Sequence, residues 1–366
     1  MYRRSLAWLA LVGMVASVLL GAGIDTSTAA AQDGQDYGME DLEKAPVITI
    51  YGRTFEESEP DGHAPVGVMG DHVHKEREIM LSYRYKHMEM DGNRDGTTDL
   101  STDEVLDSRM VAPLRMDMEM HMFGAMIGVT DDFTVAPMIP YIRKEMDHIN
   151  RTGVTFTTKS SGIGDVRLTG LYRFLKREKH NMILNVGISF PTGSIDEKSA
   201  TPVDRSGVND LPYPMQLGSG TYDFLPGLTY RGYVGDYSWG TQATATIRAS
   251  DNSHDYRLGN RLQVSGWGGR RLTDWVSASV RFAWESWGDI RGRDPNLNTA
   301  LVQTASTTLQ GGQRADAIFG LNFIVPRGPL MGNRLSVEGG LPVYQRLEGP
   351  QLKTDYFFTV SWQKTF

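Results

Sequence analysis

Methionine side chains recur at every second position from Met116 to Met122, and this row is the most distinctive chemical pattern in the chain. Residues two apart on a β-strand point to the same face, so the spacing predicts thioether groups aligned along one strand face. Thioethers are soft ligands that suit Cu(I). The candidate copper ligands are Met116, Met118, Met120, Met122, His72 and His74, and the other residues that would extend such a path are His63, Met69 and His87.

The same methionines have a second explanation. Methionine is unbranched and flexible, so it also fills irregular interiors or lines a route for apolar solutes. Most of the 18 methionines lie in the first half of the chain, including Met80, Met88, Met90, Met110, Met116, Met118, Met120, Met122, Met126, Met138 and Met146. For His72-Val73-His74 the competing interpretation is an exposed polar tail. The sequence leaves both questions open.

A second candidate metal site begins at Asp91. The residues Asp91, Asn93 and Asp95 supply oxygen atoms at positions 1, 3 and 5 of a calcium-type loop, and Gly96 follows at position 6. Position 12, where a bidentate Glu is needed, is Thr102. An ordinary Asp/Asn/Gly loop is the alternative.

Catalytic chemistry finds little support in the sequence. There is no Cys, so thiol catalysis and thiolate metal sites are excluded. No pair of carboxylates is placed for acid–base work, and no His on an apolar register is followed by the Ser and Asn of an outer-membrane lipase. The net charge of -7 and the lack of a basic stripe argue against nucleic-acid binding. We therefore expect no enzyme, with a lipase as the least favoured alternative.

A two-residue alternation organises the chain from Ile79 onward and predicts β-strands. The twelve predicted strands are 79–90, 111–129, 133–148, 163–175, 181–191, 220–234, 237–249, 257–272, 275–289, 314–326, 334–346 and 352–366. The connections alternate between short turns and longer polar loops, of which 192–219 and 290–313 are the largest. This pattern is typical of an all-β, transmembrane, antiparallel up-and-down barrel of about 12 strands.

The alternation also predicts what faces the lumen. A charged side chain on the lipid face costs about 2–4 kcal/mol at mid-depth, so charges in the strands belong inside. The predicted solute- and lumen-lining residues are Met80, Met88, Met90, Met116, Met118, Met120, Met122, Met126, Met138, Met146, Arg167, Arg231 and Arg281. The opposite register, for example Val280 and Phe282, would contact outer-membrane lipids.

The N-terminus carries the layout of a secretory signal peptide. Arg3-Arg4 precede an apolar stretch, and Ala29-Ala30-Ala31 form an A-x-A site, so residues 1–31 are predicted to be cleaved near Ala31. Residues 32–78 are rich in Gly, Asp, Glu and Pro and are predicted to be a flexible, periplasmic or partly lumenal segment. The barrel itself is predicted to span 79–366. Its terminal Phe366 resembles the signal that the bacterial barrel-insertion machinery recognises.

Three short motifs in the middle of the chain resemble a known family. Gly162-Ile163-Gly164-Asp165, Ser189-Phe190-Pro191-Thr192-Gly193 and Leu217-Gly218-Ser219-Gly220 resemble, in order, strand motifs of the outer-membrane proteins labelled "MetA-pathway of phenol degradation". The resemblance covers residues 162–230. It implies an outer-membrane barrel that acts as a transporter or channel, and it implies no catalytic residue.

These patterns together predict an outer-membrane channel or transporter of the Gram-negative envelope. The expected solute is an apolar or aromatic compound, or a soft metal such as copper. The alternative is a non-conducting structural or metal-binding barrel. No cofactor is expected beyond a possible copper or calcium ion.

Overall fold

The computed structural model describes residues 59–202 and 209–366. The predicted signal peptide and the first part of the predicted flexible segment lie outside the described residues. Within the described ranges, no helix is both long and apolar enough to cross a membrane. The described chain is mostly β-strand, as the alternation predicts.

Within these two ranges, seventeen strands and three short helical segments follow one another along the chain. The first strands are β1 (Ile79–Gly96), β2 (Thr98–Leu100), β3 (Val111–Thr130), β4 (Phe133–Asn150), β5 (Thr155–Ile163), β6 (Arg167–Arg177), β7 (His180–Ser189), β8 (Lys198–Ser199) and β9 (Asn209–Asp210). The later strands are β10 (Asp223–Val234), β11 (Tyr237–Arg248), β12 (Tyr256–Arg257), β13 (Arg261–Thr273), β14 (Val276–Trp287), β15 (Arg291–Gly292), β16 (Gly312–Ile324) and β17 (Asn333–Thr365). The helical segments are α1 (Thr102–Ser108) and the 3-10 turns Tyr213–Met215 and Gln303–Ala305.

Eleven of these strands close into an antiparallel barrel, because β17 pairs with β16 on one side and with β1 on the other. Two further strands are not members of this closed ring. Strand β2 pairs with β1, and β5 pairs with β4. The first part of β17, from Arg334, pairs with β16, whereas the part from Gln351 to Thr365 pairs with β1. Strand β17 therefore contributes two successive passes to the wall. Counted in this way, the wall has the twelve predicted passes.

The barrel wall turns its apolar side chains outward. On β14, Val280 and Phe282 are 39% and 44% exposed, whereas the alternating Ser279 and Arg281 are 8% and 5% exposed. A soluble protein buries the apolar register, so the inverted pattern is the one expected of a barrel surrounded by lipid. The all-β barrel fold predicted from the sequence is confirmed.

The two rims of the barrel differ in the length of their connections. Very short turns, such as the one at Asp131-Asp132, join the strands at one end, which we call the short-turn rim. The described parts of the long connections, residues 190–202, 209–222 and 288–311, lie at the opposite end, the long-loop rim. Both ends of the wall meet at the short-turn rim, where Ile79 and Phe366 exchange backbone hydrogen bonds of 2.8 and 3.4 Å.

Three local boundaries differ from the prediction. Strand β1 continues through Asp91–Gly96, because these residues pair with both β2 and β17. A separate strand, β5, extends the wall above β6 by pairing with the upper part of β4. Helix α1 begins in the following loop with a capping box, in which Ser101 and Glu104 each bond the other's backbone N–H.

Candidate solute path through the barrel lumen

Residues 59–78 lie inside the barrel at the short-turn rim, and we call them the lumenal segment. His72 and His74 on this segment are only 7% and 0% exposed. The interpretation of His72-Val73-His74 as an exposed polar tail is therefore wrong. The predicted flexibility of this region stays a prediction, but its described part has a defined set of contacts with the wall.

Arginines of the wall hold the first four residues of the lumenal segment and Asp71 farther along it. Arg271 binds Glu59 at 2.8 Å and Asp61 at 3.0 Å. Arg334 donates to the carbonyl oxygen of Pro60 at 2.8 Å. Arg231 donates to the Gly62 carbonyl and pairs with Asp71 at 3.2 Å. Every one of these arginines is buried, and each has a partner on the segment.

The tip of the lumenal segment is held by a buried ion pair of the wall. Arg281 and Glu338 form two hydrogen bonds of 3.0 Å, and the Gly67 N–H donates to the same carboxylate at 2.6 Å. Farther along, Gln242 donates to the Met69 carbonyl and Asn185 to the Gly70 carbonyl. We call the wall residues that make these contacts the lower layer: Arg231, Arg271, Arg281, Arg334, Glu338, Gln242 and Asn185.

Asp71 is the electrostatic centre of the segment. Its carboxylate accepts from the Ala64 N–H at 2.7 Å and contacts His72 Nδ1 at 2.8 Å. Burial alone would raise the pKa of Asp71, but His72 and Arg231 hold this pKa well below its usual value. Burial lowers the pKa of His63 well below 6.5, with Arg334 as a further cause. A charged Asp71 and a neutral His63 follow from these surroundings.

The methionines predicted to line the lumen face inward, where they form three apolar clusters at different heights. Near the short-turn rim, Met80 and Met126 pack with Val73 of the lumenal segment. In the middle, Met88, Met90 and Met118 pack with Phe357 and Ile318. Toward the long-loop rim, Met116 and Met146 pack with Leu211 and Met215. The remaining members are buried Met122 and Met138 and the half-buried Met120.

The proposed copper ligands do not gather at one point. Met116 lies in the cluster nearest the long-loop rim, whereas His72 and His74 lie on the lumenal segment at the other end. His87 belongs to the outward register of β1 and touches Tyr356 and Phe358 on the outer wall, so its placement in the lumen is wrong. The binding of copper by the methionine row stays a prediction.

The predicted calcium ligands lie on the strand β1 rather than in a loop. Asn93 donates to the Pro113 carbonyl at 2.7 Å and accepts from Gln303, and Asp95 accepts from the Gly349 N–H. Calcium binding is not tested by these contacts. Among the described residues, the His, Asp and Glu side chains close enough to share a metal ion are His87, Glu89 and Asp117, on the outer wall.

A band of charged residues crosses the lumen above the lower layer. Its cations on β1 are Arg84 and Lys86. Arg261 and Arg314 lie 2.8 and 3.6 Å from the carboxylate of Glu285. Arg314 also pairs with Asp316, and Arg248 pairs with Asp223. We call Arg84, Lys86, Arg167, Arg248, Arg261, Arg314, Glu285, Asp316 and Asp223 the central basic layer.

Most of the central basic layer is absent from the sequence-based list of lumen residues. Arg84 and Lys86 stand at the even positions between Met80 and Met88, so the alternation that aims the methionines inward places these two cations inside as well. Of the predicted lumen arginines, Arg167 belongs to this layer, whereas Arg231 and Arg281 belong to the lower layer.

Loops close over the long-loop end of the lumen. Lys144 on β4 donates to the carbonyl oxygens of Pro214 and Gln216, at 2.7 and 2.6 Å. His254 joins two loops by contacting Asp294 at 2.8 Å and Asp196 at 2.9 Å. These carboxylates raise the pKa of His254 above 6.5, and the hydrogen bond that His254 donates to Asp294 is the largest cause.

Comparisons with known proteins agree with this architecture. The COG4313 outer membrane channel from Pseudomonas putida F1 is 14% identical, with a TM-score of 0.58, over 83% of this chain and 100% of that one. This likeness shows the fold. The transport unit of the autotransporter AIDA-I from Escherichia coli gives a TM-score of only 0.43 at 10% identity, over 80% of this chain and 91% of that one. No functionally curated protein matches the sequence.

The sequence itself matches a family profile over residues 116–338, which is more than half of the chain. This span contains the three motifs on which the resemblance rests. The chain belongs to the family described as "Putative MetA-pathway of phenol degradation".

Proposed function

We propose that the protein is an outer-membrane channel or transporter for a small solute. The observation that carries the proposal is the inverted wall, which is apolar outside and lined with charged, polar and thioether side chains inside. A closed barrel of this kind connects two aqueous compartments through a lipid bilayer. We assign the short-turn rim to the periplasm, the long-loop rim to the cell exterior, and recognition by the insertion machinery to Phe366.

The three methionine clusters support an apolar or aromatic solute. They place polarisable, flexible side chains at successive heights of the lumen, and such side chains adapt to solutes of different shape. A soft metal such as copper is the second candidate. It is favoured by the thioether row itself and disfavoured by the distance between that row and the histidines of the lumenal segment.

A non-conducting barrel is the competing function. It is favoured by the lumenal segment, which fills the periplasmic end, and by the loops that cover the opposite end. Planar-bilayer recordings of the purified protein separate the two functions. Discrete conductance steps support the channel, whereas a silent bilayer, with protein insertion verified, contradicts it.

Copper and apolar solutes are separated by a Cu(I) titration. The test protein carries Met116→Leu, Met118→Leu, Met120→Leu and Met122→Leu, and the control carries Met110→Leu and Met331→Leu, at two exposed positions. Loss of Cu(I) binding in the test protein alone would support copper. Unchanged binding in both proteins would rule out the row as the copper site.

A further inference from the structure

The central basic layer has cations that form no ion pair with a carboxylate of the described residues. Arg84, Lys86 and Arg167 make no hydrogen bond or ion pair with residues 59–202 or 209–366, and the Nε atom of Arg84 is fully buried without an acceptor. An unpaired charge inside a protein is expensive, because burial removes water that is not replaced. Such a group at the wall of a solute path points to a ligand that supplies the missing charge.

The carboxylates nearby are already occupied. Glu285 is shared by Arg261 and Arg314, Asp316 is held by Arg314, and Asp223 is held by Arg248. Arg261 is also close enough to Arg167, Arg248 and Lys144 for like-charge repulsion. The field inside this part of the lumen is therefore positive, although the chain as a whole carries a net charge of -7.

Two cations of the central basic layer, Arg167 and Arg261, are accessible to solvent. Arg167 is paired in register with Met138 and Ser189, which are both buried, so its side chain faces the lumen. Unlike these two neighbours, Arg167 is exposed. The side chain of Arg261 is 52% exposed. A small solute inside the lumen can therefore contact these two side chains.

An apolar surface lies directly beside the cations. The ammonium group of Lys86 sits 5.2 Å from the ring centroid of Phe357, and this ring packs with Met88 and Ile318 in the middle cluster. The neighbourhood thus offers a positive charge next to an aromatic and thioether surface. An inorganic anion would interact only with the positive charge, whereas an organic anion would also contact the aromatic and thioether surface.

We propose that the central basic layer binds a small organic carboxylate, with Lys86 contacting the carboxylate, the neighbouring Met88 and Phe357 contacting its apolar part, and Arg167 adding to the positive charge of the same lumen. Guanidinium and ammonium groups form their strongest hydrogen bonds with such anions. The assignment deepens the proposed function by naming the solute class of the same lumen. It also disfavours Cu(I), which these cations would repel.

The test is the binding of benzoate by the folded protein in detergent, measured by titration calorimetry against benzyl alcohol as the neutral analogue. We expect benzoate to bind at least tenfold more tightly than benzyl alcohol. The variant K86M/R167M should lose that preference and keep its affinity for benzyl alcohol. Methionine is chosen at position 86 because its thioether would lie beside those of Met88 and Met90. The different migration of heated and unheated samples on a gel reports whether the variant barrel has folded.

The matched control is Lys159→Met. Lys159 also belongs to a strand, but it lies on the outer wall in an ion pair with Glu145. Benzoate affinity should be unchanged in this control. Equal affinities of the wild type for benzoate and benzyl alcohol, or complete displacement of benzoate by equimolar inorganic phosphate, would overturn the proposal.

Conductance recorded on the same preparations separates this proposal from the proposed function. A conducting barrel without a preference for benzoate overturns the carboxylate site and leaves the channel standing. A silent barrel that binds benzoate in a Lys86-dependent way overturns the channel and supports the site.

Discussion

The lower layer and the central basic layer use the same residue types for different ends. In the lower layer, Arg231, Arg271 and Arg281 are buried and each has a carboxylate or carbonyl partner within 3.2 Å. In the central layer, Lys86 and Arg167 face the same lumen a few residues farther up the wall and have no such partner among the described residues. The lower arginines fix the lumenal segment, whereas the central cations are left available to a solute.

The comparison shows that an inward charge is not by itself a sign of a binding site. A charge that is paired inside the protein contributes to a defined structure, and its removal leaves the charge of its partner uncompensated. A charge without a partner costs stability, and a ligand that pairs with it recovers this cost. The two layers therefore predict opposite responses to mutation.

The largest effect is expected for Arg271→Ala, which removes the arginine that pairs with Glu59 and Asp61. Breaking a buried ion pair by removing one partner costs about 3–5 kcal/mol. We expect residues 59–64 to lose protection in hydrogen exchange and the conductance of the barrel to rise. Arg143→Ala is the control, because Arg143 forms exposed ion pairs on the outer wall. Unchanged protection of the segment in Arg271→Ala would contradict a role in anchoring.

A smaller effect is expected for Gly128→Ala at the exit of the lumenal segment. A Cβ atom at Gly128 would overlap the carbonyl oxygen of Lys75 and lie 2.7 Å from its carbonyl carbon. The backbone must then move, at a cost of about 1–3 kcal/mol, which urea unfolding in lipid vesicles would detect. Gly339→Ala is the matched control, since no described atom lies within 4 Å of the place that its added Cβ would occupy. Equal stability of the two variants would contradict close packing of the segment against β3.

The smallest effect is a pH dependence at the long-loop rim. Because Asp294 and Asp196 raise the pKa of His254, the imidazolium stabilises the loop contacts below pH 6.5, and this stabilisation is lost as pH rises through the raised pKa. Hydrogen exchange of residues 252–256 should therefore accelerate above that pKa. His254→Gln should remove the pH dependence. Exchange that slows with rising pH, after correction for intrinsic rates, would contradict the assignment.

The strands and the direction of their side chains could be predicted because both depend on local alternation. Met116, Met122 and Arg84 point inward because each stands on the inward register of its strand. The same alternation could therefore have predicted the inward cations on β1. His87 stands at an odd position of β1, and the alternation places it outside. The methionine pattern led to its wrong assignment to the copper path.

A partly lumenal position of residues 32–78 could be predicted, but the contacts that hold the lumenal segment could not, because the contacting residues are distant in sequence. Arg271 and Asp61 are 210 residues apart, and no periodicity links them. The composition of residues 32–78, rich in Gly, Pro and charge, resembles that of segments that lack a core. Here the wall supplies the core, since its arginines donate to the carboxylates and carbonyls of the segment. For the same reason, the sequence could not separate paired lumen arginines from unpaired ones.

The most direct test of the account is the zero-current potential of the purified barrel in a planar bilayer under a KCl gradient. We predict a potential of the sign that indicates selectivity for chloride over potassium, and a shift toward zero in the K86M/R167M variant. Cation selectivity of the wild-type barrel, or anion selectivity that survives removal of both charges, would contradict a solute path controlled by the central basic layer.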